Sequence, residues 1–137
     1  MPKPKRTYID TSLLLAAFRG EGDLWRRAFS VLNDPERALV VSDAVRLEAL
    51  PKARYHKQQQ ELAFFEAVFG QAENVAWNSQ ALKQAQIIAE SYGIAAMDAI
   101  HVAHAIAAGV DEFISAEKPT KPMFRVQSIP MRSIREV

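Results

Sequence analysis

The segment RTYIDTSLLLAAFRG, residues 6–20, decides the fold because its hydrophobic pattern changes at Asp10. Residues 6–10 are rich in side chains that favour strands. After Asp10, apolar residues recur three and four positions apart, which is the spacing of one helix face. These residues are Leu13, Leu14, Ala17 and Phe18. The segment therefore predicts a strand that runs directly into a helix.

The same order of strand and helix continues along the chain. Further strands are predicted at 38–41, 74–77 and 112–115, with 124–127 as a candidate fifth strand. Further helices are predicted at 23–33, 43–51, 56–70, 79–92 and 96–108. Strands that alternate with helices over short connections favour a mostly parallel sheet, because parallel strands are joined by crossovers. We therefore expect a single α/β domain over residues 1–137, with three α/β/α layers and a mostly parallel sheet of four to five strands.

The composition excludes several classes of protein. The chain has 137 residues, 49% of them hydrophobic, which is enough for a core without disulfides or structural metal. It has no cysteine, so a disulfide scaffold, a cysteine zinc finger and a thiol nucleophile are excluded. No apolar run approaches the ~20 residues of a membrane span. Residues 1–9 lack the apolar stretch of a signal peptide, and we expect a cytoplasmic protein.

The formal net charge of +1 conceals an uneven distribution. Residues 1–6 carry +3 and residues 118–137 carry +4, which leaves −6 for the residues between them. The basic residues of the second segment are Lys118, Lys121, Arg125, Arg132 and Arg135. An acidic body between basic ends suits a site that holds cations beside a polyanion. Solvated chain ends have the same composition, so both interpretations stay open.

Four acidic residues are expected at one edge of the sheet, where the carboxyl ends of parallel strands meet and ligands bind. Asp10 ends the first strand, and Glu117 follows the fourth. Glu48 and Asp98 lie on helices that leave this edge. Two of the acids also have structural explanations, because Asp10 can cap a helix and Asp98 can interact with a helix dipole. Asp111 lies about 20 Å away, at the other end of the fourth strand, and is interpreted as a solvated turn residue.

A group of carboxylates needs protonation, basic partners or a bound cation to offset its mutual repulsion. Hard oxygen ligands select Mg²⁺ or Mn²⁺, and Mg²⁺ usually takes one or two direct carboxylates and keeps several waters. The remaining positions suit phosphate oxygens and an attacking water. The acidic group therefore predicts metal-dependent hydrolysis of phosphodiester bonds.

Three segments of the chain resemble the PIN-domain family, and in particular its small VapC-type ribonuclease toxins. They are YIDTSLLLAAF at 8–18, VVSDAVRLEAL at 40–50 and MDAIHVAHAIAAGVDEFISAEK at 97–118. The resemblance implies a PIN-like fold and a divalent-metal-dependent endoribonuclease that uses Mg²⁺ or Mn²⁺. The catalytic and metal-binding residues that it implies are Asp10, Glu48, Asp98 and Glu117. The implied partners are an RNA substrate, a second copy in a homodimer, and an antitoxin whose segment occupies a groove near the acids.

The chain departs from the family pattern at two places. The family often has Asn where Ser12 stands here, and usually has Thr-x-Asp where this chain has Ser115-Ala116-Glu117. Ser12 and Ser115 can still hydrogen-bond a ligand or phosphate, and we predict them as supporting polar residues. Glu117 is one methylene longer than Asp, and this difference favours a competing hypothesis, a catalytically weak PIN-like module that binds RNA or a protein. A phosphorylated receiver-type switch would also use an acidic pocket, but it does not explain Glu48.

A basic cluster surrounds the end of the predicted helix that carries Glu48. Lys and Arg near metal-binding acids can position phosphates. The candidate nucleic-acid contacts in this cluster are Arg46, Lys52, Arg54 and Lys57. A solvated helix end is the other interpretation.

Two histidines follow Asp98 at three-residue intervals, at His101 and His104. Asp98 and His104 would lie about 120° apart around a helix axis, so the three side chains cannot easily hold one ion. We interpret both histidines as packed or surface residues.

Overall fold

A computed structural model describes residues 3–135 of the chain. Met1 and Pro2 lie outside the described residues, as do Glu136 and Val137 at the end of the predicted basic tail. The strands are β1 (Lys5–Ile9), β2 (Arg37–Ser42), β3 (Glu73–Val75), β4 (Glu112–Ser115) and β5 (Met131–Ser133). The α-helices are α1 (Thr11–Arg19), α2 (Gly22–Leu32), α3 (Asp43–Tyr55), α4 (Gln59–Gln71), α5 (Ser79–Tyr92) and α6 (Ala96–Ala107). None of the helices in this range has the length and apolarity needed to cross a bilayer.

The described strands form one parallel sheet in the order β3-β2-β1-β4-β5. The central strand is β1, in which Tyr8 lies opposite Val40 of β2 and Phe113 of β4. Successive residues of a strand face opposite sides of the sheet, and Thr7, Tyr8 and Ile9 are all buried. Helices therefore cover both faces of the sheet. This confirms the prediction of a three-layer α/β/α fold with a mostly parallel sheet.

The fifth strand is β5, and the predicted strand at 124–127 is wrong. Pro122 has the fixed backbone angle that suits the first turn of a helix, and Pro122–Arg125 forms a 3₁₀ helix. β5 is an edge strand of 3 residues, with Ser133 opposite Ser115 of β4. Its residues, Met131, Arg132 and Ser133, contain one apolar side chain, so no apolar run marks a strand there.

Helix α3 continues through Pro51 to Tyr55, whereas the sequence predicted that it would stop near the proline. A proline inside a helix removes one backbone hydrogen bond. Ala49 and Ala53, on either side of Pro51, are both buried in the core. This packing offsets the missing hydrogen bond and keeps the second half of α3 helical.

The junction between α3 and α4 is fixed by Lys57, whose φ of 56° is left-handed. The backbone amide of the next residue, Gln58, donates to the carbonyl oxygen of Ala53 at 2.9 Å. This pattern terminates a helix by satisfying one of its last carbonyl groups. Helix α4 consequently begins at Gln59 rather than at the predicted residue 56.

Candidate active site

The predicted acids line one cavity at the carboxyl edge of the sheet. The cavity has a volume of about 400 Å³ and is called the acidic cavity below. Its polar lining includes Asp10, Thr11, Ser12, Glu48, Asp98, His101 and Glu117. The structure therefore brings together the four acids that the sequence placed at this edge.

Asp10 lies where β1 ends and α1 begins, and its side chain is buried. Its Oδ1 accepts hydrogen bonds from the backbone amide of Leu13 at 3.1 Å and from Ser12 Oγ at 2.7 Å. Asp10 is thus both the N-cap of α1 and a residue of the acidic cavity. Burial raises the pKa of Asp10, although the hydrogen bonds from Ser115 and Ser12 oppose this effect. Because these donors are neutral, a cation beside Asp10 would relieve the unfavourable burial of its charge.

Ser12 and Ser115 connect the start of α1 to the end of β4. Their hydroxyl oxygens lie 3.1 Å apart. Ser12 Oγ accepts from the amide of Ala116 at 3.0 Å, and Ser115 Oγ accepts from the amide of Glu117 at 3.0 Å. The two hydroxyls therefore hold the loop that carries Glu117 next to Asp10, which makes them positioning residues of the acidic cavity.

Glu48 projects from α3 and is half-buried. Its Oε1 accepts from Thr11 Oγ1 at 2.8 Å and lies 2.6 Å from His101 Nε2. Partial burial acts to raise the pKa of Glu48, but the hydrogen bonds from His101 and Thr11 outweigh it and lower the pKa. Glu48 is therefore an ionised carboxylate at neutral pH whose orientation is fixed by two partners.

A chain of hydrogen bonds runs from Glu48 into the core. His101 Nδ1 lies 2.8 Å from the Tyr8 hydroxyl, which lies 2.7 Å from Ser42 Oγ. Since ionised Glu48 can only accept, Nε2 of His101 carries a proton and donates to it. In the tautomer with an unprotonated Nδ1, this atom accepts from Tyr8. Tyr8 in turn accepts from Ser42. Burial raises the pKa of Tyr8 and keeps its hydroxyl protonated as a donor.

The sequence did not identify His101, Tyr8 or Thr11 as part of the site. His101 is buried, as the interpretation of a packed histidine allows, but its ring also borders the acidic cavity. Its spacing of three residues from Asp98 is the one signal that the sequence contained, because residues three apart are neighbours on a helix surface. The contacts of Tyr8 and Thr11 depend on the placement of α3 and α6 around β1, which no local pattern specifies.

Lys121 lies between two of the acids. Its Nζ is 3.2 Å from Asp98 Oδ2 and 3.5 Å from Glu117 Oε1. The side chains of Lys121, Asp98 and Glu117 are 39%, 18% and 36% exposed, so this bridge is partly shielded from water. Partial burial acts to lower the pKa of Lys121, but the two carboxylates outweigh it and raise the pKa. The sequence placed Lys121 only within the basic tail, without a partner.

The structure places the residues of the predicted basic cluster in different surroundings. Lys52 lines the acidic cavity, whereas Arg54 forms an exposed ion pair with Glu66 at 3.0 Å. The guanidinium carbon of Arg46 lies 5.0 Å from the centre of the Phe69 ring. Lys57 occupies the left-handed end of α3. Of this cluster, the structure brings Lys52 to the acids.

A basic residue that the sequence missed, Arg19, also lines the acidic cavity. It lies at the end of α1, and its NH2 atom is 2.5 Å from Oε1 of buried Glu61 on α4. The ion pair orients an exposed guanidinium along the cavity wall. The only sequence signal was a basic residue in the last turn of a helix, which is common without any function.

Two other residues have structural roles. Neutral His104 is buried, with Nδ1 donating to the carbonyl oxygen of Ile100 at 2.8 Å and Nε2 accepting from the amide of Asn78 at 3.2 Å. Asp111 is exposed at the opposite edge of the sheet and accepts from the amide of Arg6 at 2.8 Å. Both observations agree with the packed histidine and the turn aspartate expected from the sequence.

The donor set suits a hard divalent cation that is held through few direct ligands. Within residues 3–135, no three His, Asp or Glu side chains are grouped so that they could hold a metal ion directly. Mg²⁺ does not need such a cage, because it is usually bound by one or two carboxylates and keeps several waters. Buried Asp10 and partly buried Asp98 can supply these carboxylates. The residues present therefore fit a hydrated Mg²⁺ or Mn²⁺ ion rather than a fully chelated one.

Three solved structures share the fold over nearly the whole chain. A toxin–antitoxin complex from Klebsiella pneumoniae has a TM-score of 0.72 and 20% identity, and the match covers 96% of this chain and 99% of that one. VapBC2 from Rickettsia felis, bound to a DNA fragment from its promoter, has a TM-score of 0.70 and 13% identity, with 93% and 98% covered. FitAcB from Neisseria gonorrhoeae has a TM-score of 0.63 and 16% identity, with 96% and 99% covered. At these identities the likeness is one of fold.

The sequence comparisons give the family. Comparison with curated proteins yields no match. The family model of the PIN domain, in contrast, matches residues 7–118, which span β1 to β4 and include the four acids that the sequence predicted for the site. The chain belongs to the PIN domain family.

Proposed function

We propose that this chain is a divalent-metal-dependent endoribonuclease that hydrolyses RNA phosphodiester bonds. The observation that carries the proposal is the position of four acids around one cavity at the carboxyl edge of a PIN-family sheet. These acids are Asp10, Glu48, Asp98 and Glu117. Oxygen ligands of this kind suit Mg²⁺ or Mn²⁺.

Asp10 and Asp98 are the residues that we propose to hold the principal ion, with Glu117 beside them. A bound divalent ion neutralises charge on a phosphate and makes a water molecule more acidic, so that it attacks phosphorus more readily. Asp10 is suited to this role because its helix cap and the Ser12 hydroxyl fix its carboxylate. A cation there would also offset the cost of burying the charge of Asp10, because the groups that donate hydrogen bonds to this carboxylate are neutral.

Glu48 is the residue that we propose to orient the attacking water and to accept its proton. Its lowered pKa keeps the carboxylate ionised, and Thr11 and His101 hold one of its oxygens. The Tyr8 hydroxyl fixes the ring of His101 from the other side. Thr11, His101 and Tyr8 act in this proposal as positioning residues, since they determine where the Glu48 carboxylate points.

Lys52 and Arg19 are the residues that we propose to contact the RNA backbone. Both line the acidic cavity, and neither side chain is buried. Their positive charges offset the acidic wall, which would otherwise repel a polyanion. The base preference of the site is a separate property that these contacts do not determine.

We extend the proposal to a toxin of a toxin–antitoxin pair that acts in the cytoplasm as a homodimer. The toxin–antitoxin complex from Klebsiella pneumoniae supports this role through its shared fold. One wall of the acidic cavity is apolar, with contributions from Leu15, Leu47 and Phe65. An antitoxin segment that packs on this wall would cover the acids and block access of RNA.

The experiment that tests the enzymatic proposal is cleavage of structured RNA by the purified chain in Mg²⁺ or Mn²⁺, with and without chelator. We expect cleavage by the wild type that the chelator abolishes, and none by Asp10→Asn. Asp111→Asn is the matched control, because it removes an acid from the opposite edge of the sheet, and it should cleave as the wild type does. RNA binding without cleavage in either metal would instead favour the catalytically weak module.

A further inference from the structure

Lys121 places a fixed positive charge at the half of the acidic cavity that contains Asp98 and Glu117. Its ammonium lies 3.2 Å from Asp98 Oδ2 and 3.5 Å from Glu117 Oε1. One ammonium therefore serves two carboxylates from different elements, Asp98 on α6 and Glu117 in the loop after β4. The bridge neutralises one of the two negative charges at this position.

The backbone around Lys121 is held in place by a turn and by a proline. The amide of Lys121 donates to the carbonyl oxygen of Lys118 at 3.0 Å, and the amide of Phe124 donates to the carbonyl oxygen of Lys121 at 3.1 Å. Pro122 follows directly and restricts Lys121 to the extended conformation that it adopts, with φ −64° and ψ 143°. The ammonium thus extends from a fixed point of the chain, unlike that of a lysine on a mobile loop.

The other half of the acidic cavity contains Asp10 and Glu48. Among the contacts of residues 3–135, no ammonium bridges these two carboxylates. Asp10 accepts from the neutral groups of Ser12 and Leu13. Glu48 accepts from Thr11 and from the His101 ring. Lys52, which lines the cavity, lowers the pKa of Glu48 through its charge, but no lysine or arginine within residues 3–135 forms an ion pair with Asp10 or Glu48, so this half can still accept a divalent cation.

We propose that Lys121 takes the place of a second divalent ion, so that the acidic cavity binds one Mg²⁺ or Mn²⁺ ion. The inference rests on the proposed function, because it specifies the cation requirement of the same site. Two-metal phosphodiesterases place two ions about 3.5–4 Å apart to stabilise the attacking and leaving oxygens. In this chain the ammonium of Lys121 lies between Asp98 and Glu117, so Asp98 would be shared between this ammonium and the single ion that it holds with Asp10. The ammonium can also donate a hydrogen bond to a phosphate oxygen.

The test is the number of Mn²⁺ ions bound per chain, counted from the electron paramagnetic resonance signal of free Mn²⁺ during a titration to saturation. The wild type should bind one Mn²⁺. Lys121→Met removes the ammonium but keeps the aliphatic chain, and it should bind two. Lys118→Met removes a charge from the same loop at an exposed position and should still bind one.

Three outcomes would overturn the inference. The first is two Mn²⁺ ions in the wild type. The second is one ion in Lys121→Met with the affinity of the wild type, which would make Lys121 irrelevant to cation binding. The third is one ion in Lys121→Met with higher affinity, which would mean that Lys121 competes for a single site. If cleavage is observed in any of these cases, the proposed nuclease function survives while the inference about Lys121 fails. A wild type that neither binds Mn²⁺ nor cleaves RNA contradicts both.

Thermal unfolding without metal provides a second measurement that does not depend on activity. Lys121→Met leaves Asp98 and Glu117 without their shared counter-ion, so its midpoint should fall below that of Lys118→Met, and saturating Mn²⁺ should raise it more than it raises the wild type. Lys121→Arg keeps the positive charge and should bind one Mn²⁺. If Lys121→Met does not fold, Lys121→Gln, which is uncharged and polar, takes its place in the ion count and should bind two Mn²⁺, and one ion with the wild-type affinity would contradict the inference.

Discussion

Asp10 uses one carboxylate for two purposes. The oxygen that caps α1 belongs to the same side chain that lines the acidic cavity, and burial raises its pKa. A cap requires an oxygen acceptor but no charge, so asparagine satisfies it equally well. Metal binding requires the charge. Substitution at this residue therefore separates the structural role from the proposed catalytic one.

Asp10→Asn should make the metal-free protein more stable at neutral pH. A carboxyl group whose pKa is raised above its ordinary 3.8 in the folded state binds its proton more tightly there than in the unfolded chain. Stability is therefore lost as the pH rises from the ordinary pKa towards the raised one. We expect Asp10→Asn to have a higher thermal midpoint than the wild type at about pH 7 and a smaller difference near pH 4. A lower midpoint at neutral pH, with Asp111→Asn unchanged, would contradict this explanation of the Asp10 pKa.

Tyr8→Phe tests the hydrogen-bond chain behind Glu48. The substitution leaves Ser42 and His101 without a shared partner in the core. Each buried polar group without a partner costs about 1–3 kcal/mol, and the free energy of unfolding in urea should fall by about this amount. The RNA cleavage rate should also fall, because the ring of His101 is less firmly placed. Tyr55→Phe is the control, since Tyr55 is 81% exposed. An equal effect of both substitutions would show that the Tyr8 hydroxyl does not position His101.

At the scale of elements, hydrogen bonds to Glu112 join three strands at the edge of the sheet opposite the acidic cavity. Buried Glu112 of β4 accepts from Thr7 Oγ1 of β1 at 2.6 Å and from Arg37 Nε of β2 at 2.9 Å. Burial acts to raise the pKa of Glu112, but the hydrogen bonds from Thr7 and Arg37 outweigh it and lower the pKa. The stability from this group is thus present above its ordinary pKa of 4.5 and is lost as the pH falls through the lowered value.

Arg37→Met should destabilise the protein by about 3 kcal/mol, because it removes the nearer of the two arginines that pair with the buried Glu112 carboxylate, the other being Arg132 at 3.8 Å. The measurement is the free energy of unfolding in urea at neutral pH. Arg26→Met is the control, because Arg26 forms an exposed ion pair with Asp23 whose loss costs at most about 1 kcal/mol. If the two variants unfold at the same urea concentration, the three-strand network does not stabilise the sheet as described.

The elements that the sequence predicted well are those with a strong local pattern. Strands β1, β2 and β4 are continuous runs in the middle of the sheet, and α1 has a clear apolar face after a capping residue. The sequence failed at β5, which has 3 residues, and at the end of α3, where core packing overrides a proline. These errors arise because pairing with β4 decides β5, and core packing decides the end of α3.

At the scale of the whole molecule, the fold collects acids from the ends of β1 and β4 and from helices α3 and α6 into one cavity. The sequence could predict this set, because parallel strands end at a common edge. It could not predict which cations accompany the acids. Lys121 reaches Asp98 from 23 residues away, and Arg19 is held by Glu61 from 42 residues away. Such pairs depend on the relative position of whole elements.

Lys52→Met should weaken RNA binding and make it less dependent on salt. A phosphate contact acts by releasing counter-ions, so its removal reduces the slope of log K against log salt by about one unit or slightly less. Arg54→Met removes the same charge from α3, but Arg54 is already paired with Glu66, so it should change the slope less. The measurement is the dissociation constant for one RNA at several salt concentrations. A larger change in the salt slope for Arg54→Met would indicate that RNA binds along the outer face of α3 and not along the acidic cavity.

In the proposed function, the acids of the cavity perform chemistry and do not merely stabilise the fold or bind RNA. The most direct measurement is the rate of RNA cleavage by Asp98→Asn at saturating RNA in Mn²⁺, with the dissociation constant for the same RNA measured in parallel. RNA binding should be retained or tightened, because a negative charge is removed. The cleavage rate should fall by about 100-fold or more, since metal-ion catalysis lowers the barrier by several kcal/mol. A variant that folds, binds RNA and cleaves it at the wild-type rate would contradict the account.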